Sequence, residues 1–256
     1  MASLRFGGSL ALVVACTASC LPRAGTDVGN GLTVKLNLQL APELAATTES
    51  KKVLLADGAI LDQLWVATAK YRLTPGANCS EPDPRIDIPG PAFADLLGVG
   101  FVDGAKTFPT DGNTFCKLSF SFHEAAADAL PAGVPLELGG ASLFLRGHRA
   151  DGVVFTVRST MKDTLKLDAT DGSFELRGTD PALIVAFDLD AATAALELEA
   201  LSGNPITIDD KTNPSALKAF DAALRKSAKL FDDEDKNGEL SAGETDDEHK
   251  LGEGGQ

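Results

Sequence analysis

Apolar and polar residues alternate in a series of short runs between residues 32 and 208, and that alternation predicts strands. Leu32, Val34, Leu36, Leu38 and Leu40 are interleaved with Thr33, Lys35, Asn37 and Gln39, the period-two pattern of a strand with one buried face. Trp65, Ala67, Ala69, Tyr71 and Leu73 repeat it, as do Cys116, Leu118, Phe120 and Phe122. On this pattern Trp65 and Tyr71 share one face and read as core. Shorter candidate strands cover 142–146, 153–158, 164–167, 173–176, 183–189 and 206–208. Asp151-Gly152, Asp171-Gly172 and Gly139-Gly140 supply turn chemistry between them. Many short antiparallel strands so punctuated predict a mainly β fold, an antiparallel β-sandwich over residues 28–209. That span is long enough for one sizeable core, and no composition break divides it. The Pro- and Asp-rich stretch 74–91 is the longest irregular segment, and the first place to seek a binding surface.

The period changes after residue 209. Asn213 followed by Pro214 is a helix start, with Asn as cap and Pro at the first helical position, where its missing N–H costs nothing. Leu217, Phe220, Leu224, Ala228 and Phe231 then fall at steps of three and four. The spacing predicts a helix over 214–231 that delivers the chain into residues 233–244, D-E-D-K-N-G-E-L-S-A-G-E. This stretch matches D-x-[DN]-x-[DN]-G with Glu at position twelve. A hard cation such as calcium takes six to eight oxygens, which a short loop supplies only if carboxylates alternate along it and the chain turns sharply. Asp233, Asp235 and Asn237 provide the alternation, and Gly238 permits the turn.

At these residues the chain resembles the EF-hand family, in a single C-terminal copy spanning 213–251. The resemblance implies a calcium ion held by Asp233, Asp235, Asn237, the Glu239 carbonyl, Ser241 and both carboxylate oxygens of Glu244. It also implies a short exit helix, begun by a capping box of Ser241 and Glu244 and ended at Gly252, with 252–256 as a disordered tail. The sequence departs from the family pattern at Asp232, which separates Phe231 from the first ligand. EF-hands pair through a short strand at position eight, here Leu240, and no second such loop occurs in the sequence. A lone copy must pack on its own host domain, find another chain, or bind weakly, which suggests affinity on the order of 10⁻⁵ to 10⁻³ M.

Charge sharpens one competing reading. Residues 232–256 hold ten acids and two lysines, a net of −8 out of −14 for the whole chain, and acidic runs are commonly solvated tails. Such a tail has no reason to place Gly at position six, Leu at eight and Glu at twelve together. The acidity also argues against nucleic acid and anionic lipid surfaces as partners.

Arg5 precedes an apolar run from Phe6 to Ala15 and then small residues, the pattern of an export signal over residues 1–20. Two cysteines stand where a bacterial lipoprotein signal places its lipidated residue. Val13-Val14-Ala15-Cys16 resembles the lipobox better at its aliphatic position. Cysteine arithmetic favours Cys20, because cleavage there leaves Cys20 for lipid and Cys79 and Cys116 to pair. Cys20 is the expected site, with Cys16 as the alternative and ordinary secretory cleavage as the plainer reading. The expected location is the outer membrane or periplasm through a lipid anchor, or otherwise the extracellular medium, where Cys79 and Cys116 would oxidise to a disulfide.

His123, His148 and His249 lie too far apart in sequence to suggest a shared site. No G-x-S-x-G elbow, H-E-x-x-H helix or phosphate-binding glycine loop occurs, and Asp188 with Asp190 reads as a solvent-facing strand end more readily than as a glycosidase pair. The sequence therefore points to a non-catalytic, calcium-binding exported lipoprotein, similar in layout to bacterial lipoproteins that end in such a loop. Two alternatives stand beside it: a calcium-dependent enzyme acting on polysaccharide, and a calcium-dependent module that docks a second protein.

Overall fold

The computed structural model describes residues 32–41, 52–77, 79, 86–98, 100–178, 180–246 and 248–255. The expected signal over 1–20, with Cys16 and Cys20, lies outside them.

The fold is mainly β. Its strands are β1 (Leu32–Leu40), β2 (Val53–Leu54), β3 (Ile60–Pro75), β4 (Ile86–Ile88), β5 (Ala92–Asp95), β6 (Gly100–Phe101), β7 (Lys106–Thr110), β8 (Thr114–Phe122), β9 (Leu143–His148), β10 (Val154–Ser159), β11 (Thr164–Ala169), β12 (Phe174–Glu175), β13 (Ala182–Phe187), β14 (Ile206–Ile208), β15 (Ala228–Asp232) and β16 (Lys250–Gly254). Among the described residues two α-helices, α1 (Leu189–Ala194) and α2 (Pro214–Ser227), interrupt the series. Hydrogen bonds join all sixteen strands in one mixed sheet, with the main path β14-β10-β9-β3-β8-β11-β16-β15-β13-β1-β7. Where an antiparallel sandwich was expected, the strands form a curled, mixed sheet. Two neighbour pairs, β1 with β13 and β10 with β14, run parallel, and the remaining pairs run antiparallel.

The predicted alternation buries Val34, Leu36 and Leu38 of β1 together with Leu118 and Phe120 of β8, Phe155 of β10 and Val185 of β13. Strands far apart in the order share this one core, which is what the curl accomplishes. Strand β13 is buried at every position, as expected of a strand covered on both faces.

Trp65 and Tyr71 do not share a face. A register shift between Ala69 and Arg72, with Lys70 at φ +57°, inserts a bulge that reverses the alternation. Tyr71 is fully buried in the main core, whereas Trp65 packs half-buried against a second cluster on the other face that includes Ala67, Phe93 and Phe144. Within the segment 74–91, expected to be irregular, residues 86–88 form β4, which pairs with β3, while 78 and 80–85 lie outside the described residues.

The C-terminal segment differs most from expectation. Pro214 does occupy the first turn of α2, and Leu217, Phe220 and Leu224 are buried. Asn213, at the cap position, donates its side-chain amide to the Thr207 carbonyl (2.7 Å) and makes no side-chain cap bond. The helix ends at Ser227, not Phe231. Residues 228–232 become β15, with Ala228 and Leu230 turned to the main core and Phe231 to the opposite face. The exit helix is replaced by one 3₁₀ turn, Ala242–Glu244, and by β16. Of the expected disordered tail 252–256, Gly252 and Glu253 pair on both sides, with β11 and β15, and Gly254 pairs with β11. The described residues of 213–251 share one compact unit with the described strands from residue 32 onward. The physical reason is hydrogen bonding: β15 pairs with β13 and β16 with β11, whose facing backbone groups a helix and tail would leave without strand partners.

Candidate metal centre

Residues 233–244 connect two central strands. Asp233 extends β15 by one bond, donating its N–H to the Ala182 carbonyl (2.9 Å), and this puts its side chain at the sheet boundary with 1% exposure. Gly238, at φ +81°, turns the chain so that its N–H donates to Asp233 Oδ2 (2.9 Å). Asp233 Oδ1 is buried and has no hydrogen-bond partner.

Glu244 returns from the far end of the loop. Its Oε1 accepts the N–H groups of Glu234 (3.0 Å) and Asp235 (3.4 Å), and its Oε2 accepts that of Ser241 (2.8 Å). The capping box of Ser241 and Glu244 read from sequence is formed, but it closes a 3₁₀ turn. Asp235 accepts from Asn237 twice, through the backbone N–H (3.0 Å) and the side-chain amide (2.7 Å). Asn237 Oδ1 accepts from Glu239 N–H (2.5 Å). The result is that Asp233, Asp235 and Glu244 each place one carboxylate oxygen within 4.8 Å of the others, two of them buried and one exposed. Asn237 and Ser241 serve the loop's internal bonding, and Glu239 is exposed.

The electrostatics are those of crowded, partly buried carboxylates. Burial raises the Asp233 pKa, partly opposed by the Gly238 N–H and reinforced by Asp235 and Glu244. Burial also raises that of Asp232, opposed by His249 and Arg177 and reinforced by the carboxylates of Glu234 and Glu244. For Glu244 burial pushes upward too, but the Ser241 N–H and the other loop donors outweigh it and hold the carboxyl below its usual value. A divalent cation would relieve the repulsion among the three carboxylates and give Asp233 Oδ1 a partner.

Two residues that the alternation assigned to a polar strand face grip this loop. Gln39 accepts the Leu240 N–H through Oε1 (2.9 Å) and donates its amide to the Gly238 carbonyl. Asn37 donates to the same carbonyl (2.9 Å). Leu240 packs with Ile184, Ala186 and Phe231. A signal was present in sequence: positions 37 and 39 carry amides, where an exposed strand face more often carries charge.

Beside the loop lies a cavity of about 610 Å³, bordered by Asp233, Glu234 and Lys236 on one side and by Phe174, Arg177 and His249 on others. His249, read from sequence as an ordinary tail residue, stands 4.0 Å from Glu234. His148 instead pairs with Asp62 (2.6 Å), far along the chain from the loop. Asp188 caps α1 by accepting from Asp190 N–H (3.1 Å), and Asp190 accepts from Ala56 N–H (2.9 Å), so both carboxylates have structural partners. Cys79 and Cys116 form a disulfide with 5.6 Å between their Cα atoms. Among the described residues no helix is long and apolar enough to cross a membrane.

No protein-family model matches the chain, and no curated protein matches it. Among solved structures, MbnP from Methylosinus trichosporium is similar at 12% sequence identity, over 67% of this chain and 78% of that one, with a TM-score of 0.37.

Proposed function

We propose that this chain is an exported calcium-binding protein, a non-catalytic binding or structural module whose loop over 233–244 is ordered by the ion. The observation that carries this reading is the buried, unpartnered Oδ1 of Asp233, facing a loop in which Asp235 and Glu244 converge. An unsatisfied buried acceptor costs about 1–3 kcal/mol, more when charged, and at Asp233 it stands within a group of three converging carboxylates, where a cation would satisfy it. Three carboxylates are a hard, flexible oxygen set, which suits calcium better than the soft or nitrogen-rich sites of zinc and copper. Asp233, Asp235 and Glu244 would hold the ion, with Asn237, Glu239 and Ser241 as the further ligands implied by the loop pattern. The disulfide supports an oxidising compartment, and in the same proposal an N-terminal lipid on Cys20, or Cys16, anchors the mature chain.

The test is a calcium titration by calorimetry, with thermal unfolding in chelator and in millimolar calcium, on wild type, Asp233→Asn and Glu244→Gln. Free calcium at a hundred times its dissociation constant adds roughly 2.7 kcal/mol to a folded state that alone binds it. Saturable binding and a raised midpoint, both lost in the variants, support the reading. Binding that survives both substitutions places the ion elsewhere, and no binding refutes the proposal.

A further inference from the structure

Gln39 lies on the N-terminal strand and Leu240 two hundred residues later, in the loop, yet a single side chain from the first completes the backbone of the second. A primary amide carries one carbonyl and one NH₂, the same donor and acceptor that a peptide group offers. Gln39 uses both, its oxygen on Leu240 N–H (2.9 Å) and its nitrogen on the Gly238 carbonyl. It therefore does for this loop what the backbone of a neighbouring strand would do.

The arrangement is built in depth. Asn37, two residues earlier and so on the same face of β1, adds a second donor to the Gly238 carbonyl (2.9 Å). Its own oxygen is occupied by Leu38 N–H (2.9 Å) and Phe101 N–H (3.4 Å), which leaves the NH₂ end aimed at the loop. That orientation depends on Gly100, where a Cβ would lie 2.1 Å from Asn37 Oδ1. Below the amides, the Leu240 side chain is buried against Ile184 and Ala186 of β13 and Phe231 of β15. Both the backbone and the side chain at the loop's midpoint are thus satisfied by the chain's own sheet. Gly238 is the link to the carboxylates, because its carbonyl is held by β1 while its N–H holds Asp233 Oδ2.

Resting on the calcium reading above, we infer that Gln39, assisted by Asn37, is the positioning residue that sets calcium affinity, and that it lets this single loop bind the ion without a second loop or a second chain. Gln39 does not contact the ion. It fixes Gly238 and Leu240 so that Asp233, Asp235 and Glu244 converge before the ion arrives, and the loop pays less ordering entropy on binding.

The experiment measures calcium affinity by calorimetry for wild type, Gln39→Ala, Gln39→Glu and Asn37→Ala, beside Thr33→Ala as a control on the same strand. Each protein's unfolding midpoint in chelator and its sedimentation in calcium are recorded in parallel. Gln39→Glu keeps the acceptor for Leu240 and the side-chain length, so it tests the amide even if Gln39→Ala folds poorly. The expected result is affinity about ten- to a hundredfold weaker for both Gln39 variants, as for other groups that hold metal ligands in place. Asn37→Ala should lose less, Gln39→Glu should stay folded in chelator with a lowered midpoint because its carboxylate faces the Gly238 carbonyl, and wild type should be monomeric with calcium bound. Wild-type binding with affinity unchanged in the Gln39 variants overturns the inference, as does calcium-driven dimerisation of wild type. Absence of binding in wild type instead refutes the calcium reading on which it rests.

Discussion

Asp233 and Gly238 are joined by one hydrogen bond from the Gly238 N–H to Asp233 Oδ2 (2.9 Å), and this bond leaves the other oxygen of Asp233 buried and unpartnered. The loop is thereby shaped around a group that its own backbone does not satisfy. Gly238 achieves this only because it sits at φ +81°, a region that residues with a Cβ enter at a cost.

Gly238→Ala separates conformation from contact. A Cβ there meets nothing within 4 Å, so the penalty is the left-handed backbone alone, about 1–2 kcal/mol. Urea unfolding in chelator should show a lower midpoint with an unchanged slope. Calcium should also bind more weakly, since relaxing φ withdraws the N–H that holds Asp233.

Asp221, on α2, accepts the Ser159 hydroxyl at 2.9 Å while its Oδ1 is buried without a partner. Burial pushes its pKa up to about 6, against the lowering effects of the Ser159 hydroxyl and the Arg225 charge, and with a further upward push from Asp163. The unfolded chain gives up this proton near pH 3.9, roughly the ordinary aspartate value. The folded chain therefore binds more protons between about pH 4 and 6, and this group's contribution to stability falls as pH rises through that window and is level above it. Asp221→Asn should stabilise the protein by about 1–3 kcal/mol at pH 7.5, with the gain vanishing near pH 4. Thermal midpoints of the two proteins across pH check the sign.

Gly254 of β16 has no room for a side chain. A Cβ there would lie 2.4 Å from the Arg225 carbonyl, a backbone atom that cannot swing aside. Gly254→Ala should therefore destabilise by about 1–3 kcal/mol, as overpacked positions do, and denaturant midpoints would register it. Indifference to this substitution would mean that the last strand is not docked between β11 and β15.

The disulfide should matter to the whole fold. Cys79 and Cys116 are 37 positions apart, and a bridge across such a loop contributes about 2–4 kcal/mol, chiefly by restricting the unfolded chain. Cys79→Ser with Cys116→Ser should lower the unfolding midpoint, and adding reductant should change the wild type and leave the double variant unmoved.

Local periodicity made much of this chain legible. Strand β1 occupies the residues that the alternation marks, and the cores of β3, β8, β9, β10, β11, β13 and β14 fall within or beside the predicted runs. The carboxylates of Asp233, Asp235 and Glu244 converge as their spacing implies, because a twelve-residue loop with a glycine at its bend has few ways to close. Where prediction failed, a non-local term had decided the matter. Ala228 and Phe231 continue the apolar stripe of α2 at helical steps, but the gap between β13 and β16 offers their backbone a full set of strand partners, and pairing overrides propensity. Lys70 shifts the alternation of β3 by one residue, which no window of apolar spacing reveals, and so separates Trp65 from Tyr71.

Residue types and their spacing along the chain determined, by themselves, that the fold is mainly β and which carboxylates gather in the loop. Such features depend on neighbours a few residues apart. Tertiary structure alone decided that the loop is a hairpin between central strands, that the last residues are a strand, and that Asn37 and Gln39 face the loop. Those outcomes depend on which distant backbone groups are left needing partners once the sheet has curled, and that demand is written nowhere in the local pattern.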